Sequence, residues 1–423
     1  MSVQDCQDLR IDGQRLLDRL EALAEIGAID GGGNARLALT DDDRAGRDLV
    51  TSWLRDLDLD VRIDAIGNVL ATWAPEADGE ADDRPPVLMG SHIDTVRTGG
   101  RYDGNLGVLA GIEVIQTVSE SGHRPDRPLA VAFFTNEEGA RFSPDMMGSL
   151  TYVGGLPLEE ALDIRGIDGA TVGDELIRIG YVGPYPCPGP APHAYVELHI
   201  EQGPVLEAEA VDIGVVESVQ GISWQEITIR GQANHAGTTP MALRHDAGFV
   251  AASVAAYLRE LALELGPPQV ATAGSLQLHP GLVNVVAARA MLTADLRNTD
   301  DQVLAVAEAK LAAYLAEIGA AEGVTIETRS LARFAPVQFD PTVVDLVEAT
   351  ARRLGHSTRR LPSGAGHDAQ MLARVCPSGM VFVPSVAGIS HNPAEYTEPQ
   401  HLIAGADVLL QVALALANEE DSP

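Results

Sequence analysis

Apolar positions recur along this chain with two different periods, and the switches between them outline its organisation. Leu16, Leu17, Leu20, Leu23 and Ile26 have helical spacing, which predicts an amphipathic helix over about residues 9–27, broken by Gly31-Gly32-Gly33-Asn34. A second helix is expected from near Thr40, an N-cap residue followed by Asp41-Asp42-Asp43 in the turn where the helix dipole favours acid. Its buried face is Leu49, Val50, Trp53, Leu54 and Leu57. Short apolar runs at 61–63, Val69–Trp73, 87–89 and Leu129–Phe134 read as strands, with a helix over 104–118 between the last two. Strands alternating with helices of this length predict an α/β sheet with crossover connections.

The pattern changes after about Ser218. Strands at 224–230, 271–278 and 287–297 and helices at 241–265 and 300–319 suggest a β-α-β-β-α-β order, that of a ferredoxin-like sandwich. From about Pro336 the α/β pattern resumes and ends in a helix over 401–417. The expected organisation is therefore one α/β domain built from 1–217 and 334–423, with 218–333 inserted. Residues 74–86, rich in acid and proline, should form an exposed loop. Internal repeats and low-complexity tracts are not evident.

A length of 423 residues with 45% hydrophobic positions leaves room for two or three domains. No uninterrupted apolar run is long enough to cross a bilayer, and Met1-Ser2-Val3-Gln4-Asp5 carries acid where a signal peptide carries base, so a cytoplasmic location is expected. The net charge of −32 comes from 61 acidic against 29 basic residues, with Lys310 the only lysine. Nucleic acid and anionic membranes are poor partners for such a chain. An acid-covered, lysine-poor surface is what a high-salt cytoplasm selects, which suggests a halophilic source and says nothing of the reaction. Cys6, Cys187 and Cys376 form no CxxC, which leaves no thiolate metal site and no disulfide framework.

That exclusion matters because nitrogen and oxygen ligands are abundant. Gly90-Ser91-His92-Ile93-Asp94-Thr95, Tyr102-Asp103-Gly104, Glu137-Glu138, Glu197-Leu198-His199-Ile200-Glu201-Gln202-Gly203 and Ser390-His391-Asn392-Pro393 place histidines and carboxylates at the ends of four strand-like runs. Each has a bland explanation alone: a structural histidine, a turn aspartate, solvated loop charge. All of them together at core strand ends point to a divalent metal, with one carboxylate left to handle protons. A serine hydrolase is disfavoured, since Ser91 and His92 point to opposite faces of a strand and no G-x-S-x-G elbow occurs. The glycine-rich stretch 99–107 lacks the Lys-Ser/Thr pair of a phosphate loop.

These residues lie in six blocks: GSHIDTVRTGGRYDGNLGVLAG, TNEEGARF, ELHIEQGPVLE, ANHAGTTPMALRHDA, SGAGHDAQ and SVAGISHNP. Their order resembles the hydantoinase/carbamoylase branch of the M20 metallopeptidase-like family, over nearly the whole chain. His199 marks the branch, because peptidase-type relatives generally have a carboxylate there. One departure is Asn284-Val285-Val286-Ala287-Ala288, where the family often has a proline-glycine turn. The resemblance implies an α/β metal-binding catalytic domain, an inserted ferredoxin-like α+β lid and dimerisation domain, and a homodimer. It implies two divalent ions per subunit (zinc, manganese, cobalt or nickel), one on His92 and His199, the other on Glu138 and His391, with Asp103 bridging. Glu137 would be the general base, and Asp94 would orient His92 through its ring N–H. Gln202, His235, Asn284 and Arg297 would contact substrate, with Arg297 on its carboxylate and His235 donating to the oxyanion, from its own or the partner subunit. Gly364 and Gly366 would let backbone approach the ligand. The expected reaction is hydrolysis of the ureido C–N bond of an N-carbamoyl-L-amino acid. Allantoate, 3-ureidopropionate and ureidoglycolate are alternative substrates, and an aminoacylase or dipeptidase is a more distant alternative.

Overall fold

The structure, a computed structural model, describes residues 8–74 and 84–418. Cys6, the acidic N-terminal residues and most of the loop expected over 74–86 lie outside them. The chain forms two compact units, Met1–Glu217 with Phe339–Pro423, and Ser218–Gln338.

In the larger unit the first helix spans Gly13–Ala24, shorter than its pattern because Asp12 caps it, accepting from the Gln14 and Arg15 amides. The second spans Asp41–Asp56, with the Thr40 hydroxyl accepting from the Asp43 amide. The strands that follow are β1 (Asp60–Ile63), β2 (Val69–Trp73), β3 (Val87–His92), β4 (Leu129–Phe134), β5 (Ala194–Ile200) and β6 (Ile213–Val219). β3 runs three residues beyond its apolar pattern, so His92 is a strand residue.

The smaller unit has β7 (Gly221–Arg230), β8 (Val270–His279), β9 (Arg289–Asn298) and β10 (Thr325–Phe334) in the order β10-β7-β9-β8, all antiparallel. Two helices, Ala247–Leu265 and Asp301–Glu322, complete a β-α-β-β-α-β order. Val250, Val254, Leu258 and Leu261 of one and Leu304, Leu311 and Leu315 of the other pack with Ala290, Leu292, Ala294 and Leu296, the inward positions of β9. The first helix begins later than its pattern suggests. Residues Met241–Leu243 form a separate 3-10 turn, and Asp246 caps the helix through the Gly248 and Phe249 amides. The unit ends at Gln338, five residues past the expected boundary, and the short strand β11 (Val337–Gln338) pairs with Val219 and Ser218 at the end of β6.

β12 (Thr358–Ser363) and β13 (Ser378–Val383) complete a nine-stranded mixed sheet ordered β1-β2-β4-β3-β5-β13-β6-β11, β12 also pairing with β6. The central neighbours β4, β3, β5 and β13 are parallel. Helices Asn105–Ser121 and Pro399–Ala417 pack on this core, and both are mostly buried. By length and apolarity Pro399–Ala417 could cross a membrane, but its contacts with β13, β5, β3 and the 105–121 helix make it a core helix. In open α/β sheets, ligands bind beyond the carboxyl ends of such parallel strands.

Candidate metal centre

Those four parallel strands deliver the site. β3 ends at His92, β4 leads into Glu137 and Glu138, β5 carries Glu197 and His199, and the chain after β13 brings in His391. Asp103 comes from the turn that opens the helix Asn105–Ser121. Gly104 sits there at φ 67°, and a Cβ on it would lie 2.4 Å from His92 Nε2, so the turn requires glycine on both counts.

Asp103 stands at the centre. Its Oδ1 is 3.2 Å from His199 Nε2 and 3.5 Å from His92 Nε2, and its Oδ2 is 3.4 Å from His391 Nε2. His391 Nε2 is in turn 3.2 Å from Glu138 Oε2. Two ligand sets result, His92 with Asp103 and His199, and Asp103 with Glu138 and His391, each with donor atoms within 4.8 Å of one another. Glu137 is buried, with Oε2 3.3 Å from His92 Nε2. The histidine tautomers are set from behind: Nδ1 of His92 donates to the Asp94 carbonyl (2.9 Å) and Nδ1 of His199 to the Ile200 carbonyl (2.8 Å), which leaves Nε2 of each neutral ring as the acceptor on the Asp103 side, where that of His199 takes the Gly104 amide (3.1 Å).

Asp94 does accept the His92 ring N–H, with the main chain rather than the carboxylate. Its carboxylate accepts the amides of Glu137 (3.2 Å) and Glu138 (3.3 Å). It therefore fixes the backbone of the two glutamates. Gln202 donates to Asp103 Oδ2 at 2.8 Å. Gln202, His391 and Asn136 all hold left-handed φ values near 55°, a local cost that clusters around this site.

Burial raises the Asp94 carboxyl to about 6. Burial also pushes Glu137 well above the ordinary range, opposed by His92 and reinforced by Asp368, Glu138 and Asp103. Asp103 goes the other way: burial alone would raise it, but the surrounding His199, His391 and His92 outweigh burial and hold it well below the ordinary range. His391, bonded to Asp103 and Glu138, rises to about 10.

The donor set fits borderline divalent ions, which take imidazole and carboxylate together. Glu138 Oε1 and Gln202 Oε1 are buried with no hydrogen-bond partner among the described residues, as expected of oxygens reserved for a ligand. A third set, Glu197, His199 and His367, is also close enough for a metal. There, however, Glu197 accepts from Ser91 Oγ, Tyr195 Oη and the Ala369 amide, and His367 Nε2 meets Ser363 Oγ at 2.9 Å. That set is a hydrogen-bonded layer beneath His199, whose ring the His367 ring meets edge-on at 4.5 Å.

Sequence reasoning gave no role to Glu197, His367, Asp368 or Glu395. Glu395 accepts from the Tyr102 and Asp103 amides and from Ser390 Oγ, and Ser390 Oγ also lies 3.0 Å from Asp103 Oδ2. It ties the Asp103 turn to the His391 loop. Gly366, flagged in the sequence, adjoins His367, and a Cβ there would meet Met146 Cε at 2.8 Å.

The smaller unit holds the remaining predicted residues. His235 bridges to Val285, and the Ala236 amide donates to the Asn284 carbonyl (2.9 Å), so His235 and Asn284 lie on adjoining segments. The Gly237 amide donates to His235 Nδ1 at 3.1 Å, which makes Nε2 the proton-bearing nitrogen of the neutral ring. Arg297 lies on β9, held by Asp295 (Nη2 to Oδ2, 2.8 Å) and 5.9 Å from the Trp224 ring.

Comparison with known proteins gives a consistent result. The family model described as peptidase family M20/M25/M40 matches residues 88–415. The chain is 40% identical, over 97% of its length and 98% of the relative's, to an N-carbamoyl-L-amino-acid amidohydrolase of Rhizobium meliloti. An N-carbamoyl-L-amino acid amidohydrolase of Geobacillus stearothermophilus is likewise 40% identical, over 97% of this chain and all of that one. A crystal structure of a hydantoinase/carbamoylase family amidase from Burkholderia multivorans superposes with a TM-score of 0.93 at 45% identity, covering 97% of this chain and 99% of that one.

Proposed function

The chain belongs to peptidase family M20/M25/M40, and from that premise we propose that it is an N-carbamoyl-L-amino acid hydrolase, releasing the amino acid, ammonia and carbon dioxide. Enzymes of this family depend on metal, and the observation that carries the reading is Asp103, with one oxygen toward His92 and His199 and the other toward His391 and Glu138. A carboxylate so flanked suits two ions. Bound there, they would lower the pKa of a shared water and polarise the scissile carbonyl. Glu137, buried and raised in pKa, takes the water proton and passes it to the departing nitrogen. His235, whose Nε2 carries the ring proton, is the donor we assign to the developing oxyanion, from its own or the partner subunit.

Arg297 grips the substrate carboxylate. Asp295 and Trp224 hold the guanidinium in place, which reduces the freedom lost on binding. Arg297→Lys should lose about 10–100-fold in kcat/KM, since lysine has no planar fork, with a far smaller loss on a substrate whose carboxylate is replaced by an amide. Equal losses on both substrates would remove Arg297 from this role.

We also read 218–338 as a lid and dimerisation unit. β8 is a sheet edge with Val270, Leu276 and Leu278 exposed, a surface that pairing with a second copy would cover.

The substrate assignment is tested by ammonia release, with manganese supplied, from N-carbamoyl-L-amino acids, allantoate, ureidoglycolate and 3-ureidopropionate. The highest kcat/KM is expected on an N-carbamoyl-L-amino acid. A preference for any other member would reassign the substrate and leave the reaction class intact.

A further inference from the structure

Arg36 is wholly buried, and its bonds go to neutral oxygens. Nε donates to the Ile93 carbonyl at 2.8 Å, Nη1 to the carbonyls of Leu23 (3.1 Å) and Ile26 (2.7 Å), and Nη2 to Asn105 Oδ1 at 2.9 Å. A buried cation without a bonded carboxylate is costly, so its retention needs a reason. Part of the offset is local: Leu23 lies in the last turn of helix Gly13–Ala24, where carbonyls beyond the end of the helical ladder and the dipole favour positive charge. Room is made by Gly46 in the interior of helix Asp41–Asp56, where a Cβ would lie 2.8 Å from Arg36 Cδ. Glycine at such a position costs roughly 1 kcal/mol of helix stability relative to alanine.

The other two contacts point at the metal centre. Ile93 separates His92 from Asp94, and the Arg36 main chain pairs with the next residue, its amide donating to Thr95 Oγ1 (2.8 Å) and its carbonyl accepting from the Thr95 amide (2.9 Å). Asn105 follows the Asp103-Gly104 turn. Its amide donates to the Asp103 carbonyl (2.7 Å), and its Nδ2 donates to the Arg101 carbonyl (3.1 Å). One guanidinium therefore spans the end of helix Gly13–Ala24, the segment presenting His92 and Asp94, and the turn presenting Asp103.

We propose that Arg36 is a positioning residue for the metal centre, setting the spacing between the His92 segment and the Asp103 turn; this rests on the metal-site reading above. Lysine would keep the charge but cannot span acceptors on three segments. Arg36→Lys should therefore weaken binding of zinc alone, measured by competition with a chelator, by about 10–100-fold, the usual effect of losing a group that orients metal ligands. At saturating zinc, kcat should fall while KM stays within about twofold, because the guanidinium sits behind the site. Asn105→Ala removes one branch of the strap and should weaken zinc binding in the same direction, and it decides the matter if Arg36→Lys does not fold. Folded variants with a lowered melting temperature and wild-type zinc affinity would make Arg36 a scaffold residue and overturn the proposal. A wild-type protein that takes up no zinc would instead overturn the metal-site reading, and the proposal with it.

Discussion

Glu137→Gln is expected to keep its metal and lose about 10²–10⁴ in kcat, the usual worth of a positioned general base. The side chain is buried, and its Oε2 lies 3.3 Å from His92 Nε2, outside both ligand sets centred on Asp103. Its main chain is pinned by the Asp94 carboxylate, so the shape-conserving glutamine should occupy the same place. What glutamine cannot do is accept a proton. Burial, opposed by His92 and reinforced by Asp368, Glu138 and Asp103, raises the Glu137 carboxyl well above the ordinary range, so it can take a proton from water and release it to an amine within one cycle. The acid limb of the wild-type kcat/KM profile should therefore be missing from the residual activity of the variant. Metal content by elemental analysis, with kcat on the same sample, checks the assignment. A metal-loaded variant with wild-type turnover would place the base elsewhere.

Much of this arrangement was legible in the residues because it is built from local rules. Thr40 caps its helix as its type requires, and the alternation around β9 reports the face that packs on the two helices of the smaller unit. His199, between Leu198 and Ile200, reads as a polar residue facing away from two apolar ones on a strand, and that is where it stands. The capped helix starts were harder: the pattern over 241–265 is continuous, and only Asp246, bonding the Gly248 and Phe249 amides, moves the helix start to Ala247.

Partners brought together by the fold were not legible. Glu395 follows Asn392-Pro393-Ala394 and reads as solvated turn acid, yet it accepts two amides from residues 292 and 293 positions earlier. Asp368 and His367 are buried under β5, and no periodicity marks them because they stand on a five-residue helix and its cap. The division of labour within Asp94, carbonyl to His92 and carboxylate to the glutamate amides, depends on a backbone path that residue type does not encode. Arg36 is the extreme case: its sequence neighbours are ordinary, and its importance lies in which three segments meet around it.

Removing the metal with a chelator is expected to abolish turnover and to lower the melting temperature by roughly 10 °C near pH 8, with a smaller drop at pH 6. The size follows from linkage: a ligand at about a thousandfold excess over its Kd stabilises by about 4 kcal/mol, and each kcal/mol moves a domain this large by about 2–4 °C. The pH dependence follows from the protons that the metal-free site must hold. Burial raises Asp94 to about 6, burial with the Asp103 charge raises Glu395 to about 7, and bonds to Asp103 and Glu138 raise His391 to about 10. All three folded values exceed the unfolded ones of about 4 for the carboxyls and about 6.5 for histidine. Their stabilising contribution is therefore complete below the unfolded values and lost as pH rises through the folded ones, for His391 over about 6.5 to 10. Asp103 has the opposite sign, being held well below its ordinary range, but its contribution is lost only as pH falls below about 4. Between pH 6 and 9 the metal-free protein should thus weaken steadily, while a metal that displaces those protons binds more tightly as they become scarcer. Scanning calorimetry with and without chelator across that range should show the gap between the two forms widening with pH. A gap that stays constant or narrows would mean that these groups do not share their protons with a metal, and the centre built around Asp103 would have to be read as a structural network.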